Sequence, residues 1–468
     1  MTPGFLYLPM EIFVREFDSR LLIALMAVER GMEVVIGQKW LMEKNIAAMP
    51  RGLWIFKTMT LRDSKRMMKA KAAGHLVASI DEEVPALSEG SGDLLWVSQA
   101  AAEACDTIFC LGEEHAKSLR LKWPDVTPKL RLTGNPRWDY LRPELRAIYE
   151  ETAARYRAQH GRIILINTNS GNFNPAKKKP EEVYRDYVRD NKLDPSDEKQ
   201  MSFWKDYWAF EEANFHGAIR VARQLSAKHP GHTIILRPHP SERLSTYAGQ
   251  LAGLANVKVL FEGSAAPWIL AADVLIHTDC TTGIEAFALG KPSVCYETIP
   301  SVLHDQLLSG RLSHTVQSDE AVCAEVARII ADTTGSLPPP AAMQETFRRF
   351  FTAQDGPLAA ERVVEAAQAA LGCDGQSPLQ PLHARWRPEW NYVSRWPTTQ
   401  FRRKMFPPYD IAAVRARVAT LAKLLGHSHP PQLVSCGDSV LHVFRHGLEP
   451  PRHGGNIIRR SFRRITGL

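Results

Sequence analysis

The residues best placed to do chemistry surround His239, which stands between Pro238 and Pro240 directly after the apolar run ending at Arg237. Two prolines remove two backbone donors and stiffen the chain, so they hold one imidazole in a fixed direction at a strand end. A histidine held in this way can donate to a phosphate oxygen or protonate a leaving group. A second segment, His277-Thr278-Asp279-Cys280-Thr281-Thr282-Gly283-Ile284-Glu285, also follows an apolar run. Thr281, Thr282 and Gly283 fall where the next helix should begin, so hydroxyls and unpaired N–H groups can form an anion site backed by the helix dipole. Glu285, one turn further, is spaced to accept from ribose hydroxyls. The plainer reading of this segment is an ordinary helix capped by threonine.

Three other strand ends carry polar residues. Asn167-Thr168-Asn169-Ser170-Gly171 is a small hydrogen-bonding loop whose backbone can approach a ligand closely, although such loops are also good turns. Asp81-Glu82-Glu83 sets three carboxylates side by side, and mutual repulsion can raise one of them into the range of a general base. Glu11, Arg15, Glu16 and Asp18 crowd the first loop and the start of its helix. Acids near the positive end of a helix dipole explain that group equally well.

Such residues act together when strands place them on one edge. Phe5–Leu8, a helix from about Ser19 to Arg30, Gly31 as its stop, and Glu33–Gly37 read as a strand, crossover helix and strand, hence parallel pairing. Further strands are expected at 53–56, 76–80, 94–97, 107–111 and 129–132. After Gly134-Asn135-Pro136 and a charged helix the pattern restarts, with strands at 162–166, 233–237, 257–261, 273–277 and 292–296. Helices are expected at 206–229, 265–271 and 318–333. The fold class is α/β, two Rossmann-like domains facing a cleft, because ligands of such sheets bind outside the carboxyl ends of the strands. Expected domains are 1–140 for the acceptor, 155–340 for the nucleotide-sugar, helices 343–372 returning to the first, and a basic aromatic-rich extension at 375–468. The stretch between Phe173 and Trp204 reads as a mobile flap over the cleft.

The net charge of +7 is local. From Gly375 onward fifteen Lys and Arg face four acids, so the preceding chain is slightly acidic. Within 384–406, Arg385, Arg387, Arg395, Arg402, Arg403 and Lys404 alternate with Trp386, Trp390, Trp396, Phe401 and Phe406. That mixture suits an anionic membrane interface, or aromatics packed on the body with arginines left in water. No nucleic-acid-binding motif accompanies the charge. Seven cysteines without CxxC spacing argue for a reducing cytoplasm and against a disulfide framework or structural zinc. No basic-flanked signal core opens the chain and no run of 18 apolar residues occurs, so a soluble protein is expected.

The acidic pair, His-Pro element and Thr pair, in that order, resemble the signature of GT-B glycosyltransferases, and more narrowly bacterial sialyltransferases and transferases of CMP-activated ulosonic acids. That resemblance makes Glu82 or Asp81 the catalytic base, His239-Pro240 the His-Pro motif, and Thr281-Thr282 the hydroxyl pair on the CMP phosphate. Val84 stands where the acidic motif usually ends in glycine. Gly283–Ala286 through Gly290-Lys291-Pro292 is similar to the nucleotide half of GT-B enzymes generally, including UDP-sugar 2-epimerases and glycerophosphotransferases. Pro9–Asp18 and Gly134–Arg137 resemble surface carbohydrate biosynthesis proteins. The resemblance implies transfer of a sugar such as Kdo or a sialic-acid-like sugar to a surface-polysaccharide or glycolipid acceptor at the inner face of the membrane. Glu82, Asp81, His239 and Glu11 would be the catalytic set. Arg15, Glu16, Asn167, Asn169, Ser170, Gly171, Arg237, Pro240, His277, Thr281, Thr282, Gly283 and Glu285 would bind substrate. No metal is expected, for want of an Asp-x-Asp strand end, and no cofactor beyond the nucleotide-sugar co-substrate. A UDP-sugar 2-epimerase-like or glycerophosphotransferase-like enzyme of the same fold, or a non-catalytic nucleotide-sugar binder, are the alternatives.

Overall fold

The computed structural model describes residues 4–81, 97–189, 193–301, 304, 307–332, 340–372, 406–427, 430–435 and 439–444. They fall into two units, one gathering the chain up to 81, 97–140 and the residues from 351, the other running from 141 to 350.

The first unit is built on strands β1 (Phe5–Met10), β2 (Glu33–Gln38), β3 (Leu53–Phe56), β4 (Leu76–Ile80), β5 (Thr107–Cys110) and β6 (Leu130–Leu132). They pair in parallel in the order β2-β1-β3-β4-β5-β6. The central strands are buried on both faces, which is why they read as continuous apolar runs without alternation. The order reverses between β1 and β3, so that is this sheet's switch point.

Helix Phe13–Glu29 begins six residues before the expected start. The charged stretch belongs to the helix, because the Glu16 carboxylate reaches back to accept from the N–H groups of Glu11 at 2.9 Å and Ile12 at 3.4 Å. Gly31, at φ +78°, ends it in the left-handed turn that glycine makes without strain. The strand expected at 94–97 lies mostly outside the described residues. Val97 is in no strand, and β4 pairs directly with β5.

The extension contributes to this unit. Strands β13 (Gln432–Ser435) and β14 (Val440–Phe444) form an antiparallel pair, and β14 joins β2 antiparallel. Without it β2 would be an open edge. His442 Nε2 lies 2.7 Å from Glu33 across that seam, and both are buried. Helix Ile411–Leu424 is tied to helix Phe13–Glu29 by Arg417, whose guanidinium donates to both Asp18 oxygens at 3.1 and 2.7 Å. The buried Asp139 carboxylate accepts from the first amides of helix Ala359–Leu371, at Ala359 and Ala360, both at 2.8 Å. Of the basic aromatic stretch at 384–406, all but Phe406 lies outside the described residues.

The second unit contains β7 (Ile163–Asn167), β8 (Thr233–Arg237), β9 (Val257–Val259), β10 (Val274–His277), β11 (Ser293–Tyr296) and β12 (His314–Val316). Their order is β9-β8-β7-β10-β11-β12, all parallel. Numbered within the unit this is 3-2-1-4-5-6, the doubly wound order of dinucleotide-binding domains. Its core joins one face of β7, β8 and β10, through Ile164, Ile166, Ile234, Leu236, Val274 and Ile276, to Phe215, Ile219, Val221, Ala222 and Leu225 of helix Glu198–Lys228.

The stretch read as a flap has regular structure. Helix Pro180–Arg189 and the start of helix Glu198–Lys228 close a small core of Val183, Leu193 and Trp204. The Lys-rich sequence masked an amphipathic helix that carries its apolar face to that satellite cluster.

Candidate functional site

The carboxyl ends of β7, β8 and β10 lie side by side, because Asn167 pairs in register with Arg237 on one side and His277 on the other. Three of the polar loops singled out in the sequence therefore emerge from neighbouring strands around the β7/β10 switch point.

Glu242, which the sequence reading missed, ties two of these loops together. Its Oε1 accepts from the Thr168 hydroxyl at 2.7 Å and the His239 N–H at 2.8 Å, and Oε2 accepts from Tyr247 at 2.5 Å. Burial pushes its carboxyl above the usual range, although these donors oppose the shift. His239 itself is exposed, as is Pro240. Its Nδ1 lies 2.7 Å from Ser241 Oγ and accepts from the Ser241 N–H at 3.3 Å. That acceptor role assigns the proton of the neutral ring to Nε2. Gly171 is required beside this loop, since a Cβ there would stand 2.2 Å from Ser241 Oγ.

Glu211 does for the β7 loop what Glu242 does for the His-Pro loop. From the long helix it accepts from the N–H groups of Asn172 at 2.7 Å and Phe173 at 2.8 Å, and from Asn172 Nδ2 at 2.8 Å. Sequence could have flagged neither acid, because each acts across more than one element.

The buried polar groups of this edge are incompletely paired. Both amide atoms of Asn167, Thr278 Oγ1 and Arg237 Nε have no hydrogen-bond partner among the described residues. Leaving such groups buried and unpaired costs about 1–3 kcal/mol each. The Arg237 guanidinium otherwise donates to the Gly263 carbonyl at 2.6 Å and lies 4.6 Å from the Phe261 ring, while the nearby Glu285 carboxylate is buried. Asn169 is exposed and Ser170 buried.

Two expectations in the Thr loop are corrected. His277 is fully buried, with Nε2 2.9 Å from Ser313 Oγ and Nδ1 accepting from the Cys280 N–H at 3.4 Å. Burial lowers it to about 4, so the ring is neutral and packs inside the protein. A Cβ on Gly283 would meet its ring at 2.3 Å, so glycine lets the helix start rest on the imidazole. The threonines also divide their roles. Thr282 is buried and its hydroxyl donates to Cys280 Sγ at 3.1 Å, whereas Thr281 is half-buried at the first position of helix Thr281–Ala288.

In the first unit, Glu11 and Lys57 end β1 and β3 at the switch point. Lys57 Nζ lies 2.8 Å from Glu11 and 3.2 Å from the fully buried Glu16, and Lys39 lies 3.7 Å from Glu11 and 3.6 Å from Asp63. Burial alone would raise the Glu11 carboxyl, but the two lysines outweigh it and hold it below its ordinary value. Glu11 is thus a persistent anion and a weak base. Glu16, expected to bind substrate, is fully buried and its oxygens accept from Lys57 and two amides. Glu43, unremarked in the sequence, is pushed up to about 7 by burial against the pull of Arg66 and Lys39. Arg15 is half-buried beside this group and Asp81 is buried at the end of β4; Glu82 lies outside the described residues.

No family model matches the chain, and no curated protein does. Among solved structures, the UDP-GlcNAc 2-epimerase of Methanocaldococcus jannaschii in complex with UDP-GlcNAc and UDP overlays with a TM-score of 0.50 at 11% identity, over 79% of this chain and 100% of that one. The UDP-GlcNAc 2-epimerase of Neisseria meningitidis bound to UDP-GlcNAc gives 0.48 at 12% identity, over 79% and 100%. The wall teichoic acid polymerase TagF gives 0.43 at 10%, over 79% and 88%. At these identities the likeness to the first structure is one of fold. The chain has the GT-B type of fold, with two Rossmann-like units.

Proposed function

We propose that the chain is a glycosyltransferase that binds a nucleotide-sugar at the carboxyl edge of the second unit and transfers the sugar to a surface-polysaccharide or glycolipid acceptor. The observation that carries this reading is the set of buried, unpartnered groups of Asn167, Thr278 and Arg237 around the β7/β10 switch point. An amide, a hydroxyl and a guanidinium beside a helix N-terminus match a ribose-phosphate better than they match bulk protein. In this reading His239 donates from Nε2 to the departing phosphate, the Thr281 hydroxyl and the amides of Thr281 and Thr282 bind its oxygens, and Glu285 accepts from the ribose. Asn169, Ser170, Gly171 and Pro240 shape the pocket wall. Electrostatic stabilisation of the leaving group is then the main source of rate. Asp81 or Glu82 would take the acceptor proton, with Glu11 and Arg15 orienting the acceptor. A CMP-activated ulosonic acid is the proposed donor, on the order of the acidic, His-Pro and Thr elements.

The overlay on a UDP-GlcNAc 2-epimerase supports a second reading, conversion of a UDP-sugar without acceptor. Thermal shifts with CMP, CDP, UDP and GDP separate these. Stabilisation by CMP supports the ulosonate donor. Stabilisation by UDP alone, with turnover of UDP-sugar in the absence of acceptor, transfers the assignment to an epimerase, and no shift with any of the four overturns both.

A further inference from the structure

Asp279 follows β10 with φ +54°, a left-handed backbone that costs a non-glycine residue energy. Its buried carboxylate is held from three elements. Cys295 Sγ of β11 approaches Oδ1 at 3.3 Å, the Ser309 hydroxyl approaches the same oxygen at 3.4 Å, and His304 Nδ1 pairs with Oδ2. The other ring nitrogen of His304 lies 2.9 Å from the Ile299 carbonyl, which can only accept. Nε2 therefore carries a proton, and Nδ1 facing a carboxylate carries another, so the ring is an imidazolium. The edge of Phe210 closes over it at a centroid distance of 5.1 Å.

We propose that His304 is a positioning residue, whose ion pair with Asp279 holds the left-handed turn that sets the start of helix Thr281–Ala288 against the ligand phosphate. The inference rests on the nucleotide reading for its ligand, but the turn itself can be followed without one. Aspartate is among the few non-glycine residues that reach the left-handed region, through its short polar side chain, but unlike glycine it does so at a cost, which the side-chain contacts here offset. Loss of the Nδ1 proton would leave a lone pair facing a carboxylate, and the turn would lose its strongest contact.

The charged and titratable groups facing the pair are Asp279, Cys295 and Glu297. Burial lowers His304, and the hydrogen bond and charge of Asp279, with Ile299 and Glu297, more than reverse this, so its value is raised above the ordinary 6.5. The stabilisation is therefore complete below about pH 6.5 and disappears as pH rises through the higher folded value. Cys295 stays protonated, pushed well up by burial, and His277 stays neutral, so neither produces that step.

The test is hydrogen exchange of the Cys280 and Gly283 amides, whose acceptors are His277 Nδ1 and the Cys280 carbonyl, followed against pH in the full chain without ligand. Corrected for the intrinsic chemical rate, exchange should accelerate about tenfold through the His304 titration. His304→Ala should exchange fast at every pH. Asp279→Asn, nearly isosteric and more certain to fold, should remove the pH step and weaken affinity for the stabilising nucleotide about tenfold at pH 6. Wild-type exchange rates and pH step in either folded variant overturn the proposal. A pH step in a chain that binds none of the four nucleotides supports the positioning role and overturns the nucleotide reading instead.

Discussion

The two sheets end in opposite ways at equivalent places. At the β1/β3 switch point of the first unit, Glu11, Glu16, Lys39, Lys57 and Asp63 neutralise one another at contact distances. At the β7/β10 switch point of the second, the Asn167 amide, the Thr278 hydroxyl and Arg237 Nε are buried without hydrogen-bond partners among the described residues, steadied from behind by Glu211 and Glu242. A self-paired charge cluster is a scaffold and loses when a member is removed. An under-paired edge has capacity to spare for a ligand, and its unpaired groups cost stability.

Mutations can break this contrast. The largest effect is expected at the first edge, where Lys57→Ala strands the fully buried Glu16 and should cost about 3–5 kcal/mol, measured by chemical denaturation. A loss under about 1 kcal/mol, the range of exposed pairs, would show that the cluster is solvated and no scaffold. At the second edge the contrast predicts loss of function without loss of fold. His239→Ala should keep its melting temperature, because the ring is exposed, while turnover falls on the order of 100-fold. Unchanged turnover would remove that ring from the mechanism. The smallest and most discriminating change is Asn167→Leu. Replacing an unpartnered buried amide with an apolar group of similar size should raise stability by roughly 1 kcal/mol while nucleotide affinity falls about tenfold. A destabilised variant with intact affinity would place Asn167 among the structural residues.

What could be read from the sequence follows from locality. Strands β1 to β11, the parallel pairing and helix Ala265–Ala271 announce themselves largely because parallel strands buried on both faces are continuous apolar runs, whereas the short β12 was not read. The stiffened His239 was equally visible, since its restraint comes from its immediate neighbours. The start of helix Phe13–Glu29 was missed because Glu16 caps it backward, and the hairpin β13–β14 because the whole extension was read through its net positive charge, although Leu433, Val434, Val440, Leu441, Val443 and Phe444 are apolar.

Residue types and their order along the chain determined, by themselves, two parallel α/β units and the loops at which their strands end. Tertiary structure alone decided which polar groups on those loops are already spent. His277 and Thr282 are consumed by Ser313 and Cys280, while Asn167 is not, and Asp279 is bent into place by a histidine twenty-five residues away. Hydrogen bonds and ion pairs are made between atoms within about 3–4 Å in space, and no pattern of spacing along a chain states which distant atoms will come that close.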